Sequence, residues 1–156
     1  MAGGVGSRFW PLSKEETPKQ FIDVLGTGRS LIQQTFDRFK PICDENNFYV
    51  VTSVDCKKIV QEQLPEINPN NILCEPSRKN TAPCIAYAMT RIEKENPNAK
   101  VIVSPADHLV QKDEEFRHVI TEGINFVTKS DTLLTLGIKP SHPETGYGYI
   151  QVETKP

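Results

Sequence analysis

The sequence lacks any long apolar run and any strong excess of positive charge. Its 156 residues are 37% hydrophobic, and its apolar runs, such as 133–136, fall far short of the roughly 20 residues that a membrane-spanning helix needs. The formal net charge is -2, which argues against the basic surface that most nucleic-acid-binding proteins carry. One small anion needs only a local positive site, so that class of ligand stays open.

The cysteines show neither a CxxC pair nor the spacing of zinc ligands; they are Cys43, Cys56, Cys74 and Cys84. We therefore expect reduced thiols rather than a disulfide framework. No secretory signal precedes the first glycines, and we expect a cytoplasmic location. The composition is typical of a globular protein and excludes disorder, collagen and coiled coil. The length suits one domain or part of a larger one.

Short β-branched and aromatic runs alternate with segments whose apolar residues recur at helical spacing. Strands are predicted at 48–52, 72–74, 101–104, 133–136 and 147–152. Helices are predicted at 31–39, about 55–64, about 80–95 and about 113–128, beginning at the cap residues Ser30, Asp55, Asn80 or Thr81, and Asp113. This alternation predicts an α/β fold with a mostly parallel sheet and helices on both faces. In such sheets, ligands bind beyond the carboxyl ends of the strands.

A glycine-rich loop lies near the start of the chain and consists of Gly3, Gly4, Gly6, Ser7 and Arg8. Glycines let backbone N–H groups approach a phosphate, and an arginine adds a fork of donors to the same anion. The loop matches neither the Walker A nor the GxGxxG pattern, and a tight turn with a surface arginine explains it equally well. Phosphate loops usually follow a strand. We therefore expect Met1 and Ala2 to end a first strand, and the chain to be a fragment lacking the rest of that strand and a C-terminal part.

Two further motifs offer groups that bind anions. Lys19, in a Pro-Lys-Gln sequence, can meet a phosphate as a point charge, although alone it is equally a solvated lysine. The second motif runs from a short strand into a helix and contains Glu75, Pro76, Asn80 and Thr81. Helix N-termini favour anions, but the asparagine and threonine can also serve only as helix caps.

The remaining motifs follow predicted strands or lie between glycines. Asp107 comes after a buried strand, where a carboxylate commonly holds Mg²⁺; its alternative role is to cap a turn. For the neighbouring His108, a role in orientation or packing is favoured over direct chemistry. Gly146 and Tyr147 would allow a backbone to approach a polar ligand under an aromatic ring. A glycine-rich hairpin edge is the alternative.

In order and spacing, these motifs together resemble the sugar nucleotidyltransferases: AGGVGSRFWPL, PKQF, EPSRKNTAP, PADH and GIKPSHPETGYGYI. The resemblance covers nearly the whole chain. It implies that residues 1–156 form one partial nucleotidyltransferase domain, with a nucleotide-binding sheet of the glycosyltransferase-A, Rossmann-like type. It also implies a reaction in which GTP and mannose 1-phosphate give GDP-mannose and pyrophosphate, with Mg²⁺ as cofactor.

The resemblance also implies roles for individual residues, with Arg8, Lys19 and Asp107 as the catalytic ones. Arg8 would bind the β- and γ-phosphates, Lys19 would bridge the α-phosphate and the sugar phosphate, and Asp107 would hold the metal. The other nucleotide-binding residues would be Gly3, Gly4, Gly6, Ser7, Glu75, Pro76, Asn80 and Thr81, and Gly146 and Tyr147 would contact the sugar. The family's downstream Glu-Lys-Pro motif has no clean match in Glu153–Pro156, so no role is assigned there.

Three other interpretations stay open. The same fold could use UTP, dTTP or ATP, or another hexose 1-phosphate. A non-catalytic subunit could bind the nucleotide and regulate a partner. A soluble α/β domain without small-molecule chemistry is the least favoured, because it requires all five motifs to fall at strand ends by accident. We expect no nucleic-acid or membrane partner, and a homo-oligomer is possible.

Overall fold

The computed structural model describes residues 1–2, 11–14, 17–77, 79–143 and 145–152. Helices and strands alternate in the order α1 (Leu31–Phe39), β1 (Val50–Ser53), α2 (Lys57–Gln63), β2 (Ile72–Glu75), α3 (Thr81–Glu95) and α4 (Asp113–Lys129). Short 3-10 turns occupy Lys19–Phe21, Glu45–Asn47 and Pro69–Asn71. Within these described ranges, no helix is long and apolar enough to cross a membrane.

Strands β1 and β2 pair in parallel, with Val50 opposite Ile72 and Ser53 opposite Glu75. Alternate residues of a strand point to opposite faces of the sheet, so each strand contributes to two apolar layers. On one face, Val50 and Ile72 belong to a buried cluster with residues of α1 and α2, including Ile32, Phe36 and Val60, and with Leu64 just after α2. The other face packs against α3, through Val51, Leu73 and Cys84. The predicted α/β arrangement with helices on both faces is confirmed.

Met1 and Ala2 extend this sheet beyond β1. The Ala2 N–H donates to the Val51 carbonyl at 2.8 Å. On its other side, the Met1 nitrogen donates to the Ser104 carbonyl at 3.0 Å. The Ala106 N–H donates back to the Met1 carbonyl, also at 3.0 Å. Met1 and Ala2 therefore lie between β1 and the 101–106 segment, as expected for the end of a first strand.

Helix α1 has the predicted bounds, whereas α2 and α4 begin differently. The Ser30 N–H donates to Gln33 Oε1 at 3.0 Å, one half of a capping box. Helix α2 begins at Lys57, after a turn over 54–56, so the prediction that Asp55 caps it was wrong. Asp113 is the first residue of α4 rather than its cap, and its carboxylate adds favourable negative charge to the helix N-terminus.

Three of the five predicted strands are not regular strands in the structure. The 101–104 segment is not a regular strand, although the carbonyl of Ser104 accepts a hydrogen bond from the Met1 nitrogen. The 133–136 and 147–152 segments are irregular, and large apolar side chains stand exposed there, among them Leu133, Leu134, Tyr147, Ile150 and Val152. An apolar run gains stability as a strand only when a neighbouring strand satisfies its backbone and covers its side chains.

Candidate active site

Two residues predicted from separate motifs meet at the carboxyl end of the sheet. The Nζ atom of Lys19 forms an ion pair with Oδ2 of Asp107, and each side chain keeps only 23% of its surface exposed. Lys19 opens the first 3-10 turn, and Asp107 follows the 101–106 segment. The fold therefore brings the predicted phosphate-binding lysine and the predicted metal-binding carboxylate into direct contact.

Asp107 is carried by a loop that is anchored at both ends. Before it, Ala106 is buried and hydrogen-bonded to Met1. After it, the loop enters α4, where Asp113 Oδ1 accepts a hydrogen bond from Nε of Arg38 at 3.0 Å. Arg38 belongs to α1 and also lies 5.6 Å from the ring centre of Phe116. These anchors hold the loop against the sheet and α1.

Lys19 is held in place by the buried residues that follow it in the 3-10 turn. Phe21 lies in the main apolar cluster, and its carbonyl accepts a hydrogen bond from Nε2 of Gln63 at 2.9 Å. The Leu31 N–H donates to the carbonyl of Ile22 at 3.3 Å. Helices α1 and α2 therefore both fix the backbone that presents the lysine.

Gln20 and Thr52 bind a backbone carbonyl next to the site, although the sequence predicted a role for neither. Nε2 of Gln20 donates to the carbonyl of Ala2 at 2.8 Å. The hydroxyl of Thr52, on β1, donates to the same carbonyl at 3.1 Å. Both side chains are buried. The available sequence signal was the position of Gln20, a polar residue between Lys19 and the apolar Phe21.

The junction between β2 and α3 contains the predicted base and ribose residues. Glu75 ends β2 and is half-buried, whereas Pro76, Asn80 and Thr81 are exposed. Asn80 has φ 67 and ψ -167, a backbone region that residues other than glycine rarely adopt. Its side chain makes no capping hydrogen bond to α3, so the interpretation of Asn80 as a side-chain cap was wrong.

The amino group of Met1 is affected by both burial and charge. Burial lowers its pKa, and the negative charges of Asp107 and Glu75 oppose this shift, because nearby negative charge favours the protonated amine. Burial likewise raises the pKa of Cys84, which therefore stays a neutral thiol at neutral pH.

The donor set at Asp107 fits Mg²⁺ held partly by a substrate. Within the described ranges, no group of three or more His, Cys, Asp or Glu residues could cage a metal ion. Mg²⁺ does not need such a cage, because it commonly takes one or two carboxylates and completes its shell with phosphate oxygens and water. A carboxylate beside a predicted phosphate-binding lysine has this chemistry.

Other predicted site residues are not brought into this cluster. Gly3, Gly4, Gly6, Ser7 and Arg8 lie outside the described residues. Gly146 and Tyr147 lie in the exposed segment after α4, and Tyr147 keeps 72% of its surface exposed. Their contact with a sugar stays a prediction.

A cavity of about 690 Å³ lies away from the charged cluster. Its walls come from α1, β1, α3 and the 101–104 segment, and they are mostly apolar. Neither Lys19, Asp107, Glu75 nor Asn80 lines it. The cavity is a gap in the apolar layer next to α3, and the candidate site is the polar edge of the sheet.

Comparison with known proteins extends this picture to the whole chain. The sequence profile of the family described as Nucleotidyl transferase matches residues 1–156. The chain belongs to this nucleotidyltransferase family. The parallel sheet and its polar carboxyl edge are thus those of a nucleotidyltransferase domain.

Curated relatives of this nucleotidyltransferase chain carry related names. A mannose-1-phosphate guanylyltransferase of Escherichia coli is 43% identical over 155 residues, which cover 97% of this chain and 33% of that protein. The xanthan biosynthesis protein XanB of Xanthomonas campestris pv. campestris is 37% identical over 153 residues, 97% of this chain and 32% of that protein. The chain spans about a third of the length of these relatives.

A solved structure supports the fold. It is described as mannose-1-phosphate geranyltransferase from Thermus thermophilus and is 31% identical in sequence, with a TM-score of 0.68. The match covers 78% of this chain and 35% of that one. The fold predicted from the alternating strands and helices is therefore found in an experimentally solved relative.

Proposed function

We propose that the complete protein containing this chain is a mannose-1-phosphate guanylyltransferase, which makes GDP-mannose and pyrophosphate from GTP and mannose 1-phosphate. The observation that carries the proposal is the contact between Lys19 and Asp107 at the carboxyl edge of the sheet. Two relatives with this activity in their names, from E. coli and Klebsiella pneumoniae, are 43% and 38% identical. Residues 1–156 would form part of its nucleotidyltransferase domain.

The proposed reaction is a single in-line displacement at phosphorus. A phosphate oxygen of mannose 1-phosphate attacks the α-phosphorus of GTP. The bond from that phosphorus to the oxygen bridging it to the β-phosphorus breaks, and its electron pair leaves with pyrophosphate. The protein supplies mainly positioning and charge neutralisation, because both reactants are anions that repel each other.

Each charged residue has one task in this reaction. Lys19 binds the α-phosphate and the sugar phosphate together, which offsets their repulsion. Arg8 binds the β- and γ-phosphates and stabilises the leaving pyrophosphate. Asp107 would hold Mg²⁺, which would neutralise phosphate charge when bound. The contact between Lys19 and Asp107 supports a binding position for the reacting phosphates that both residues could reach.

The remaining predicted residues would determine which nucleotide and which sugar bind. Gly3, Gly4, Gly6 and Ser7 would offer backbone and hydroxyl donors to the phosphates. The junction between β2 and α3, at Glu75, Pro76, Asn80 and Thr81, would form the guanine and ribose pocket. Gly146 and Tyr147 would contact the mannose. GTP is a cytoplasmic metabolite, which supports a cytoplasmic location.

Pyrophosphate release by the complete protein tests this proposal. The assay contains Mg²⁺ with each pairing of GTP, UTP, dTTP or ATP and mannose 1-phosphate or glucose 1-phosphate. Release that requires both GTP and mannose 1-phosphate is the expected result. Release with a different pair would keep the mechanism and change the substrates. Binding of GTP by a folded protein that releases no pyrophosphate with any pair would indicate the nucleotide-sensing subunit instead.

A further inference from the structure

One backbone carbonyl at the candidate site accepts hydrogen bonds from two buried side chains. The carbonyl of Ala2 receives Nε2 of Gln20 at 2.8 Å and the hydroxyl of Thr52 at 3.1 Å. Gln20 keeps 2% of its surface exposed, and Thr52 keeps 0%. A buried carboxamide is retained only where it is hydrogen-bonded, so this glutamine has a fixed position.

The position of this carbonyl makes the contact relevant to the site. Ala2 directly precedes Gly3, the first residue of the predicted phosphate loop. Gln20 directly follows Lys19, which pairs with Asp107. The side chain of Gln20 therefore connects Ala2, the residue before the loop, to the backbone next to Lys19. The backbone of Ala2 is itself fixed to β1 by its hydrogen bond to Val51.

We propose that Gln20 is a positioning residue, which sets the distance between Ala2 and Lys19 by binding the carbonyl of Ala2, with Thr52 as its partner. The inference rests on the proposed function, because it concerns how two anion-binding elements reach one nucleotide. Gln20 does not touch the reacting atoms. Without the carboxamide of Gln20, Lys19 stays on its 3-10 turn, but the turn loses its hydrogen bond to the carbonyl of Ala2. Small displacements of Lys19 from the phosphates would lower the reaction rate strongly, because catalysis by positioning depends on geometry.

A glutamine elsewhere in the chain provides a matched control. Nε2 of Gln34 donates to the carbonyl of Arg29 at 2.9 Å, the same kind of bond at nearly the same length. Gln34 lies within α1, and Arg29 lies in the segment before this helix. The variants Gln20→Leu and Gln34→Leu remove the same group from the site and from this helix, respectively. Thr52→Val and Thr52→Ser form a second pair, in which only the serine keeps the hydroxyl.

The experiment measures two properties of the complete protein. The first is kcat/KM for pyrophosphate release with GTP and mannose 1-phosphate. The second is the rate at which acetic anhydride modifies the Lys19 ammonium group, followed by mass spectrometry without substrate. Gln20→Leu is expected to lower kcat/KM at least tenfold and to raise the Lys19 modification rate at least threefold. Gln34→Leu should stay within twofold of the parent in both measurements.

The outcomes separate positioning from stability. A folded Gln20→Leu protein with a lower Tm but unchanged kcat/KM and Lys19 modification would overturn the proposal. If Gln20→Leu does not fold, the Thr52 pair decides: faster Lys19 modification in the valine variant alone supports the proposal, and equal rates overturn it. If the parent protein releases no pyrophosphate, the proposed function fails, but Lys19 modification still tests the positioning role.

Discussion

The ammonium group of Lys19 and the carboxylate of Asp107 form an ion pair at the carboxyl edge of the sheet. In the proposed reaction, the lysine would bind a phosphate and the aspartate would bind a metal ion. A metal ion on Asp107 would compete with Lys19 for the same carboxylate oxygen. Binding of metal and phosphate therefore exchanges one set of charge pairs for another, and the site need not bury an unpaired charge at any stage.

Neutralising either partner of this pair should impair turnover. Lys19→Met and Asp107→Asn are each expected to reduce kcat for pyrophosphate release at least tenfold, which corresponds to about 1.4 kcal/mol of transition-state stabilisation. Lys58→Met is the control, because Lys58 is largely exposed and pairs with Glu62 on the surface of α2. Near-normal turnover in a folded Asp107→Asn protein would contradict the metal assignment.

Metal affinity without nucleotide should respond to the two substitutions in opposite directions. Lys19→Met removes the cation that competes for Asp107, so Mn²⁺, used as a spectroscopic substitute for Mg²⁺, should bind about fivefold more tightly, or roughly 1 kcal/mol. Asp107→Asn should weaken binding. Electron paramagnetic resonance of free Mn²⁺ measures both. Equal Mn²⁺ affinity in the parent and both variants would place the metal on other residues.

The Arg38–Asp113 pair should contribute more to stability than a similar pair on the surface. The side chain of Arg38 is 4% exposed, whereas that of Asp113 is 52% exposed. Asp113→Ala leaves a buried guanidinium without its carboxylate and should lower the unfolding free energy by about 1–2 kcal/mol. This loss is smaller than that expected for a fully buried ion pair, because Asp113 is partly exposed to water. Urea denaturation measures the change.

The control for this measurement is Asp37→Ala. Asp37 pairs with Arg29, and both side chains are more than a third exposed, at 44% and 39%. Exposed pairs contribute little, so the loss should stay below about 0.5 kcal/mol. Equal losses at the two aspartates would show that Arg38 is stabilised by its contact with Phe116 rather than by its ion pair.

Asn80 should lower the stability of the fold and contribute to nucleotide binding. Its backbone lies in a region that strongly favours glycine, so Asn80→Gly should stabilise the fold by roughly 1 kcal/mol. Asn80→Ala keeps the strain and should bring no gain. Both variants lose the carboxamide, and both should weaken GTP binding at least threefold in calorimetry. Unchanged affinity in both would remove Asn80 from the base pocket.

Local sequence patterns were sufficient to predict the helix and strand whose regularly spaced apolar residues are buried. The spacing of Leu31, Phe36 and Phe39 predicted α1 with its observed bounds, and the β-branched Val50 and Val51 predicted β1 to within two residues. These predictions succeeded because each depends on neighbours in the sequence.

Features that depend on distant partners were not predictable in the same way. The 101–104 and 133–136 segments have strand-like composition, but a strand forms only beside another strand. Asp113 was expected to cap α4, yet its carboxylate faces Arg38 on α1. The role of Gln20 depends on Ala2, which comes next to it only when the sheet forms.

The hydrogen bond from Gln20 to Ala2 has a consequence for the evolution of the chain. Because a side chain joins the two ends of the segment from Gly3 to Lys19, the covalent path between them does not set their separation. We therefore expect insertions or deletions in that segment to leave the distance between Lys19 and Ala2 unchanged. On this basis the length of the segment could vary without loss of the spacing that the proposed phosphate chemistry needs.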